Sequence, residues 1–473
     1  MIYDILIAVY ILIASLIVIQ LILNGLRPAK TLAWMLAIFT IPVGGILLYF
    51  ILGRNRRKNK LIHYKHTDKI KAFVEKSVQH CQPVSLFEYE EHKKLIQLII
   101  NTTSFLPITG NAFRYLKNGK ITFEAIFEAL RSAKSFIHIQ YYIFEDGELA
   151  DIFIEIFKIK VKEGVQIRIL YDAIGSLSLS KKYIKQLKDI GVEVYSFLPV
   201  RFGRFLASIN YRNHRKIIVV DNKIAFTGGI NLSDKYIKNV SLLGIWHDIH
   251  LELKGPIVNN IHAIFATDWS FVSEKDDILH PSYFSPTLPV GKATGQIVYS
   301  GPDSEQSATQ QLYFSMITEA SSYVYIANPY IIPGEAILDA LKVAALSGVD
   351  VRLLLSDKSD SRLVRWCVRS YFEELLVAKV KIYLYPDNFL HSKIIVADDT
   401  VASIGTTNMD IRSFEQNYEV NALIYDDDFA ISLKDDFLRD CKKSAIIDYS
   451  EFEKRSNKEK MLEGIAKMFS PVL

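Results

Sequence analysis

The chain is short of cysteine: Cys81, Cys367 and Cys441 are all it has in 473 residues, widely separated and odd in number. No CxxC or CxH spacing joins them. That excludes a disulfide framework and a cysteine-ligated zinc site, and fits free thiols in a reducing compartment. A strong charge of either sign is also missing. Lys and Arg number 56 against 52 Asp and Glu, a net charge of +4, whereas a nucleic-acid binder would show a broad basic face; no nucleic-acid partner is expected. Charge is absent altogether from two stretches, 5–26 and 31–53. Each is long enough to cross a hydrocarbon core of ~30 Å as a helix. A cleaved leader fits poorly, because Asp4 stands where a basic region would be and a second apolar stretch comes at once after the first.

The basic residues around those stretches set an expected orientation. Arg54, Arg56, Arg57, Lys58 and Lys60 come directly after the second, against Arg27 and Lys30 in the short turn between them. By the positive-inside bias the turn faces outward, and both ends, with the bulk of the chain, lie in the cytoplasm. Residues 1–60 therefore read as a two-helix transmembrane hairpin with a basic flank, a multi-pass anchor in the cell membrane. The same cluster could draw anionic lipid head groups or serve topology alone.

The most informative feature present is a signature that occurs twice. His214-Arg215-Lys216, then Asp221, then Gly228-Gly229-Ile230-Asn231 is matched by His391-Ser392-Lys393, then Asp398, then Gly405-Thr406-Thr407-Asn408. In both, Lys stands two after His, Asp seven, Gly fourteen and Asn seventeen. The apolar runs Ile217 to Val220 and Ile394 to Ala397 are rich in β-branched residues and read as buried strands. Alternation along such a strand puts His and Lys on one face, and the Asp on the other or past the strand end. Asp221 and Asp398 are then poor candidates for direct chemistry. A His, a Lys and an Asn converging on one point make a phosphate site with a nucleophile attached: Lys216 and Lys393 bring charge, Asn231 and Asn408 amide donors, and His214 and His391 an atom that can attack phosphorus or carry a proton. No metal or other cofactor is required. A single His-x-Lys often marks only a polar sheet edge; two copies in register argue for catalysis.

The duplication extends beyond the motif. Residues 136–143 align with 323–330, and 164–170 with 348–354, in the same order. Helical patterns, Leu149 to Glu163 and Glu335 to Ser347, lie between. Strands alternating with helices of this length predict βαβ units, an α/β fold with a mixed, mainly parallel sheet flanked by helices on both faces. Two such halves related by pseudo-twofold symmetry would bring both motif copies to one cleft.

These residues resemble the paired HKD motifs of the phospholipase D superfamily and, within it, the bacterial cardiolipin synthases. The closer likeness rests also on Trp246-His247-Asp248 with Gly255-Pro256, Ser300-Gly301-Pro302-Asp303, Asn328-Pro329-Tyr330, Asn417-Tyr418-Glu419-Val420-Asn421-Ala422 and Ser470-Pro471-Val472-Leu473. It implies that His214, Lys216 and Asp221, with His391, Lys393 and Asp398, form the catalytic motif. The reaction it implies condenses two phosphatidylglycerol molecules into cardiolipin and glycerol through a phosphatidyl-histidine, with His214 as nucleophile and His391 as acid and then base. Phospholipase D hydrolases and other phosphatidyltransferases, such as phosphatidylserine synthases, share the motif and differ in the acceptor. The resemblance also marks two acids that orient the histidines: Asp248, 34 residues after His214, and Glu419, 28 after His391. Where the superfamily often has Ser after the motif glycine, Gly229 and Thr406 stand here, with a modest effect expected on phosphate contacts.

The remainder divides into a connecting helical region over 61–115, with His63, His66, His80 and His92 at no ligand spacing, a first half over 116–290 and a second over 291–473. Two segments interleave basic and aromatic residues as membrane-contact stretches do: Val200 to Ile209, read as a substrate gate, and Arg362 to Tyr371, which reads slightly better as an amphipathic helix packed on the sheet. The sequence leaves the oligomeric state open.

Overall fold

Strand formation tracks the β-branched runs. Ile217–Val220 and Ile394–Ala397 are both wholly buried, and each such side chain contributes about 1.5–3 kcal/mol on leaving water. The computed structural model describes residues 2–23, 28–50, 73, 90–199, 211–284, 287–304, 306–386 and 388–473. In chain order its strands are β1 (Ile108–Lys117), β2 (Phe136–Tyr141), β3 (Gln166–Asp172), β4 (Glu193–Phe197), β5 (Ile217–Val220), β6 (Ile224–Gly228), β7 (Ile249–Lys254), β8 (Ala293–Ser300), β9 (Tyr323–Ala327), β10 (Ile331–Ile332), β11 (Asp350–Ser356), β12 (Lys381–Tyr385), β13 (Ile394–Ala397), β14 (Val401–Gly405), β15 (Met409–Asp410), β16 (Glu419–Tyr425) and β17 (Ala445–Ile446).

All but β10 and β15 join one sheet, ordered β17-β12-β11-β9-β13-β14-β16-β8-β1-β7-β6-β5-β2-β3-β4. Read outward from the central β8–β1 pair, the two sides repeat: β16, β14, β13, β9, β11, β12 mirror β7, β6, β5, β2, β3, β4. The duplication is thus architectural, and the midline is an antiparallel pair, one strand from each half.

The expectation of a mainly parallel sheet is corrected. Among the described residues only β2-β3-β4 and β9-β11-β12 run parallel within this sheet; the motif strands and the centre are antiparallel. The helical crossovers that demand parallel neighbours serve only the outer strands. Each motif strand returns through a tight turn, which can only produce an antiparallel partner. The central turn residues are left-handed, Asp221 and Asn222 at φ 52° and 54°, Asp398 and Asp399 at 51° and 62°, a conformation that short Asp and Asn side chains tolerate.

Helices cover both faces. Glu148–Lys162, between β2 and β3, opens with Glu148 and Asp151 and closes with Lys160 and Lys162, matching the helix dipole, and buries Leu149, Phe153, Ile156, Phe157 and Lys160 on one stripe. Glu335–Leu346 holds the equivalent place between β9 and β11. On the opposite face one core runs through both halves beneath Val258–Ser273 and Asp427–Lys443. In the region expected to be a helical connector, Lys93–Thr103 is a helix, but β1 begins at Ile108 and pairs with β7 and β8, so sheet structure starts before residue 116.

The described N-terminal residues form a unit of their own. Helix Ile2–Leu23 is long and apolar enough to cross a membrane and leaves most of its side chains exposed. The second apolar stretch is not one continuous helix. It runs over Pro28–Thr40, breaks at Ile41 (φ −124°, ψ 79°) and restarts over Pro42–Leu48, because Pro42 lacks the N–H that would continue the ladder and pushes Ile41 out of the α region. The restarted helix folds back: a Cβ on Gly45 would lie 2.1 Å from Ala37 O, and Trp34 meets Tyr49 edge-on at 5.6 Å. Thirteen residues rise only about 20 Å, short of a bilayer core. Arg27, the basic cluster 54–60, His63, His66, His80, Cys81 and the gate at 200–209 lie outside the described residues.

Candidate active site

The two histidines do not sit inside strands. Each strand begins one residue after the motif lysine, and the histidine occupies an extended lead-in that pairs with the other half. Asn213 bridges Tyr418, His214 N–H donating to Tyr418 O at 2.9 Å and Tyr418 N–H to Arg212 O at 2.8 Å. Leu390 bridges His247 in the same way, His391 N–H donating to His247 O at 2.7 Å and His247 N–H to Phe389 O at 2.9 Å. Tyr418 and His247 stand one residue before Glu419 and Asp248, so the bridges deliver each acid to the opposite histidine.

Sequence order suggested acids serving the histidine of their own half; the structure crosses them. His214 Nδ1 lies 3.0 Å from both carboxylate oxygens of Glu419, and His391 Nδ1 lies 2.7 Å from Asp248 Oδ2. Both acids are fully buried. Each carboxylate fixes its ring through Nδ1, so Nε2 is the nitrogen left for attack or proton transfer.

The lysines close on the same point. Lys216 Nζ donates to His214 O at 2.7 Å and stands 5.4 Å over the Tyr142 ring, which is edge-on to His214. Lys393 Nζ donates to His391 O and lies 2.9 Å from His391 Nδ1. Asn231 accepts from Ile143 N–H at 3.3 Å and donates to the Tyr236 hydroxyl at 3.2 Å. Asn408 is buried, and its Oδ1 has no partner among the described residues.

Burial sets the protonation of the group. It pushes Asp248 and Glu419 up to about 7, against the pull of both lysines. It lowers Lys216 to about 7 and Lys393 to about 8, and with the lysine charges holds both histidines well below their ordinary value. These shifts favour neutral rings over imidazolium and protonated over ionised carboxyls, so each histidine–acid pair holds a proton that it can pass on.

The residue after the motif glycine packs against the acids. Thr406 Oγ1 donates to Glu419 and accepts from Val420 N–H at 3.0 Å, so it holds the acid in place. A Cβ on Gly229 would lie 2.1 Å from Asp248 Oδ1; glycine is there because the carboxylate needs the space. The motif aspartates, placed with the catalytic set by resemblance, point away from the cluster. Asp221 accepts the N–H groups of Lys134, Ser135 and Phe136 at 2.7, 2.8 and 2.8 Å, and Asp398 those of Ser321, Ser322 and Tyr323 at 2.6, 2.8 and 2.9 Å. Each ties its turn to the start of β2 or β9.

Sequence reading missed Tyr236. Its buried hydroxyl lies 3.2 Å from His391 Nδ1, linking Asn231 of one copy to the histidine of the other. The second copy has Ser413 at the matching place, so repetition gave no signal. Trp246, quoted only as part of a motif, packs 4.9 Å from the His391 ring. The basic-aromatic segment at 362–371 is a helix, Arg362–Arg369, packed on the body: Arg369 pairs with Glu463 at 3.2 Å and covers Phe452. Cys367 and Cys441 are free and buried. Among the described residues no three His, Cys, Asp or Glu side chains come together to hold a metal ion.

Comparison with known proteins gives consistent matches. The family described as "Cardiolipin synthase, PLD-like domain" matches residues 126–269 and 313–441, and "Phospholipase_D-nuclease N-terminal" matches 8–54. The chain is 41% identical over 454 residues to a cardiolipin synthase of Geobacillus sp. (strain WCH70), covering 95% of this chain and 90% of that one. It is likewise 41% identical over 454 residues to cardiolipin synthase 2 of Bacillus anthracis, covering 95% and 88%. Among solved structures, phosphatidylserine synthase of Haemophilus influenzae superposes with a TM-score of 0.62 at 14% identity, covering 81% of this chain and all of that one, a likeness of fold.

Proposed function

Because the chain belongs to the cardiolipin synthase family of phospholipase D-like enzymes, we propose that its two crossed histidine–acid pairs carry one phosphatidyl transfer in two steps. The chain is a phosphatidyltransferase that forms cardiolipin, and it acts on phospholipid as a membrane-associated protein. In the first step His214 Nε2 attacks the phosphorus of one phosphatidylglycerol. The P–O bond to the head-group glycerol breaks, His391 gives that oxygen a proton, and a phosphatidyl-His214 remains. In the second, His391 takes the proton from a head-group hydroxyl of another phosphatidylglycerol, whose oxygen attacks phosphorus as the P–N bond breaks, giving cardiolipin and restoring His214.

The observation that supports this reading is the crossing itself. Each imidazole needs a carboxylate behind it to stabilise positive charge when it bonds phosphorus or carries the proton, and each finds it in the other half. His391 Nδ1 faces Asp248, the Tyr236 hydroxyl and Lys393, a set suited to holding and releasing a proton. Lys216, Lys393, Asn231 and Asn408 are placed to neutralise and hold the phosphoryl oxygens. Asp221 and Asp398 keep the motif strands in place without touching substrate.

We further propose that the N-terminal segment anchors the chain in the membrane, the broken second stretch returning it to the side on which it entered, with the catalytic region cytoplasmic; the basic residues 54–60 favour that orientation. The test of the mechanism is an acid quench during turnover of radiolabelled phosphatidylglycerol. Label should stay on the protein in His391→Ala and be absent in His214→Ala, and the reverse would overturn the assignment. Separating the lipids decides the acceptor: cardiolipin with glycerol marks transfer to lipid, phosphatidic acid marks transfer to water.

A further inference from the structure

Between the motif asparagine and the acid downstream of it, the first copy is longer than the second. Asp248 stands 17 residues after Asn231, and Glu419 only 11 after Asn408. The six added residues fall in a loop over 237–245. Its neck is closed by Trp246 N–H donating to Lys235 O at 3.0 Å, with Lys235 Nζ 5.7 Å over the Trp246 ring. Its tip is a turn held by its own bonds, Gly244 N–H to Ser241 O at 3.1 Å and Ser241 Oγ to Gly244 O at 3.2 Å. That turn carries apolar side chains outward: Leu242 is wholly exposed, Val240 57% and Ile245 39%, while Leu243 packs into the core. Isolated exposed leucines are ordinary, but three apolar residues on one self-bonded tip form a patch.

We propose that this tip inserts into the lipid surface beside the catalytic site, so that docking on the bilayer and positioning of His391 are coupled. The inference rests on the reading that the substrate is a membrane phospholipid. Three observations name the bilayer as occupant. The neck residues Tyr236 and Trp246 both reach His391, at 3.2 Å from the hydroxyl and 4.9 Å between ring centroids, so whatever meets the tip lies next to the chemistry. The chain carries an exposed apolar helix long enough to cross a membrane. The basic residues of the neck are spent internally, Lys235 on Glu145 and Lys238 on Glu148 and Asp234. Apolar insertion and not head-group charge is then what the tip has to offer, and binding through it is insensitive to salt.

The test uses the full chain reconstituted in phosphatidylcholine vesicles, with phosphatidylglycerol supplied in the bilayer or as a short-chain monomer from solution. Replacing Val240→Asp and Leu242→Asp together should lower turnover of the bilayer substrate about tenfold or more and leave the soluble one within about twofold. A fluorophore on Leu242→Cys, in a chain with Cys81→Ser, should shift to the blue and be quenched by spin-labelled lipid. Equal loss on both substrates would make the loop a structural part of the site and overturn the proposal. So would unchanged turnover with a water-exposed fluorophore, or crosslinking of Leu242→Cys to a second copy in place of lipid quenching. If the unsubstituted chain forms no cardiolipin from either source, the reaction assigned above fails, and the fluorophore still decides where the tip lies.

Discussion

The Asp248 carboxylate and the His391 ring meet at 2.7 Å although 143 residues and the midline of the sheet separate them. Glu419 and His214 meet in the mirror arrangement. Neither half alone holds a complete histidine–acid pair, which gives the fused duplication a chemical reason beyond symmetry.

Asp248→Asn and Glu419→Gln should each lower kcat by about 10²–10⁴-fold, because the amide keeps the packing but cannot stabilise an imidazolium. The two should differ in where the reaction stalls. Glu419→Gln disables the attack by His214 and should leave no label on the protein in an acid quench. Asp248→Asn weakens the proton relay, so labelled enzyme should accumulate and decay slowly. Identical behaviour of the two variants would contradict the crossed assignment.

Gly229 makes a second prediction. A methyl group there would overlap Asp248 Oδ1, and the carboxylate would have to leave His391. Gly229→Ala should lower kcat roughly 10- to 100-fold with little change in melting temperature, the size of effect expected when a catalytic ring is misplaced by about 1 Å. Thr406→Ser keeps the hydroxyl that Glu419 accepts from and should stay near the parent rate; Thr406→Val should not.

For the motif aspartates the expected loss is of stability. Each accepts three backbone N–H groups from an accessible turn and itself adopts a left-handed backbone. Asp221→Ala or Asp398→Ala should cost about 1–3 kcal/mol, read as a lower denaturation midpoint. Activity per folded molecule should persist, and Asn at either place should be milder, since it tolerates the same φ and keeps one acceptor.

Sequence alone made the motif strands legible, because four consecutive buried β-branched or small residues have few other uses. The sense of the sheet was not, since the strand–helix alternation describes only β2-β3-β4 and β9-β11-β12, while the turns at Asp221 and Asp398 govern the rest. The partner of each histidine was also hidden. Thirty-four residues from His214 to Asp248 and 28 from His391 to Glu419 measure chain distance, whereas the bridges Asn213–Tyr418 and His247–Leu390 determine spatial distance. Composition showed that 31–53 is apolar but said nothing of continuity, which Pro42 decides.

The pH dependence separates loss of charge from loss of fold. Burial lowers Lys216 to about 7 and Lys393 to about 8, while an unfolded lysine keeps its proton to about 10.5. Between those values the unfolded chain binds more protons than the folded one, so these lysines make stability rise with pH. Asp248 and Glu419, raised to about 7, work in the opposite sense, but only between their unfolded values near 4 and about 7, and are spent above it. On the mechanism proposed above, transfer requires the lysine charges on the phosphoryl oxygens. From pH 7 upward kcat/KM should therefore fall, by about tenfold per unit as the first required charge is lost and more steeply as the second follows, while the melting temperature of the same enzyme holds or rises. Parallel profiles of rate and thermal unfolding check this directly. If both fall together, alkaline inactivation is unfolding, and the lysines do not titrate in the site.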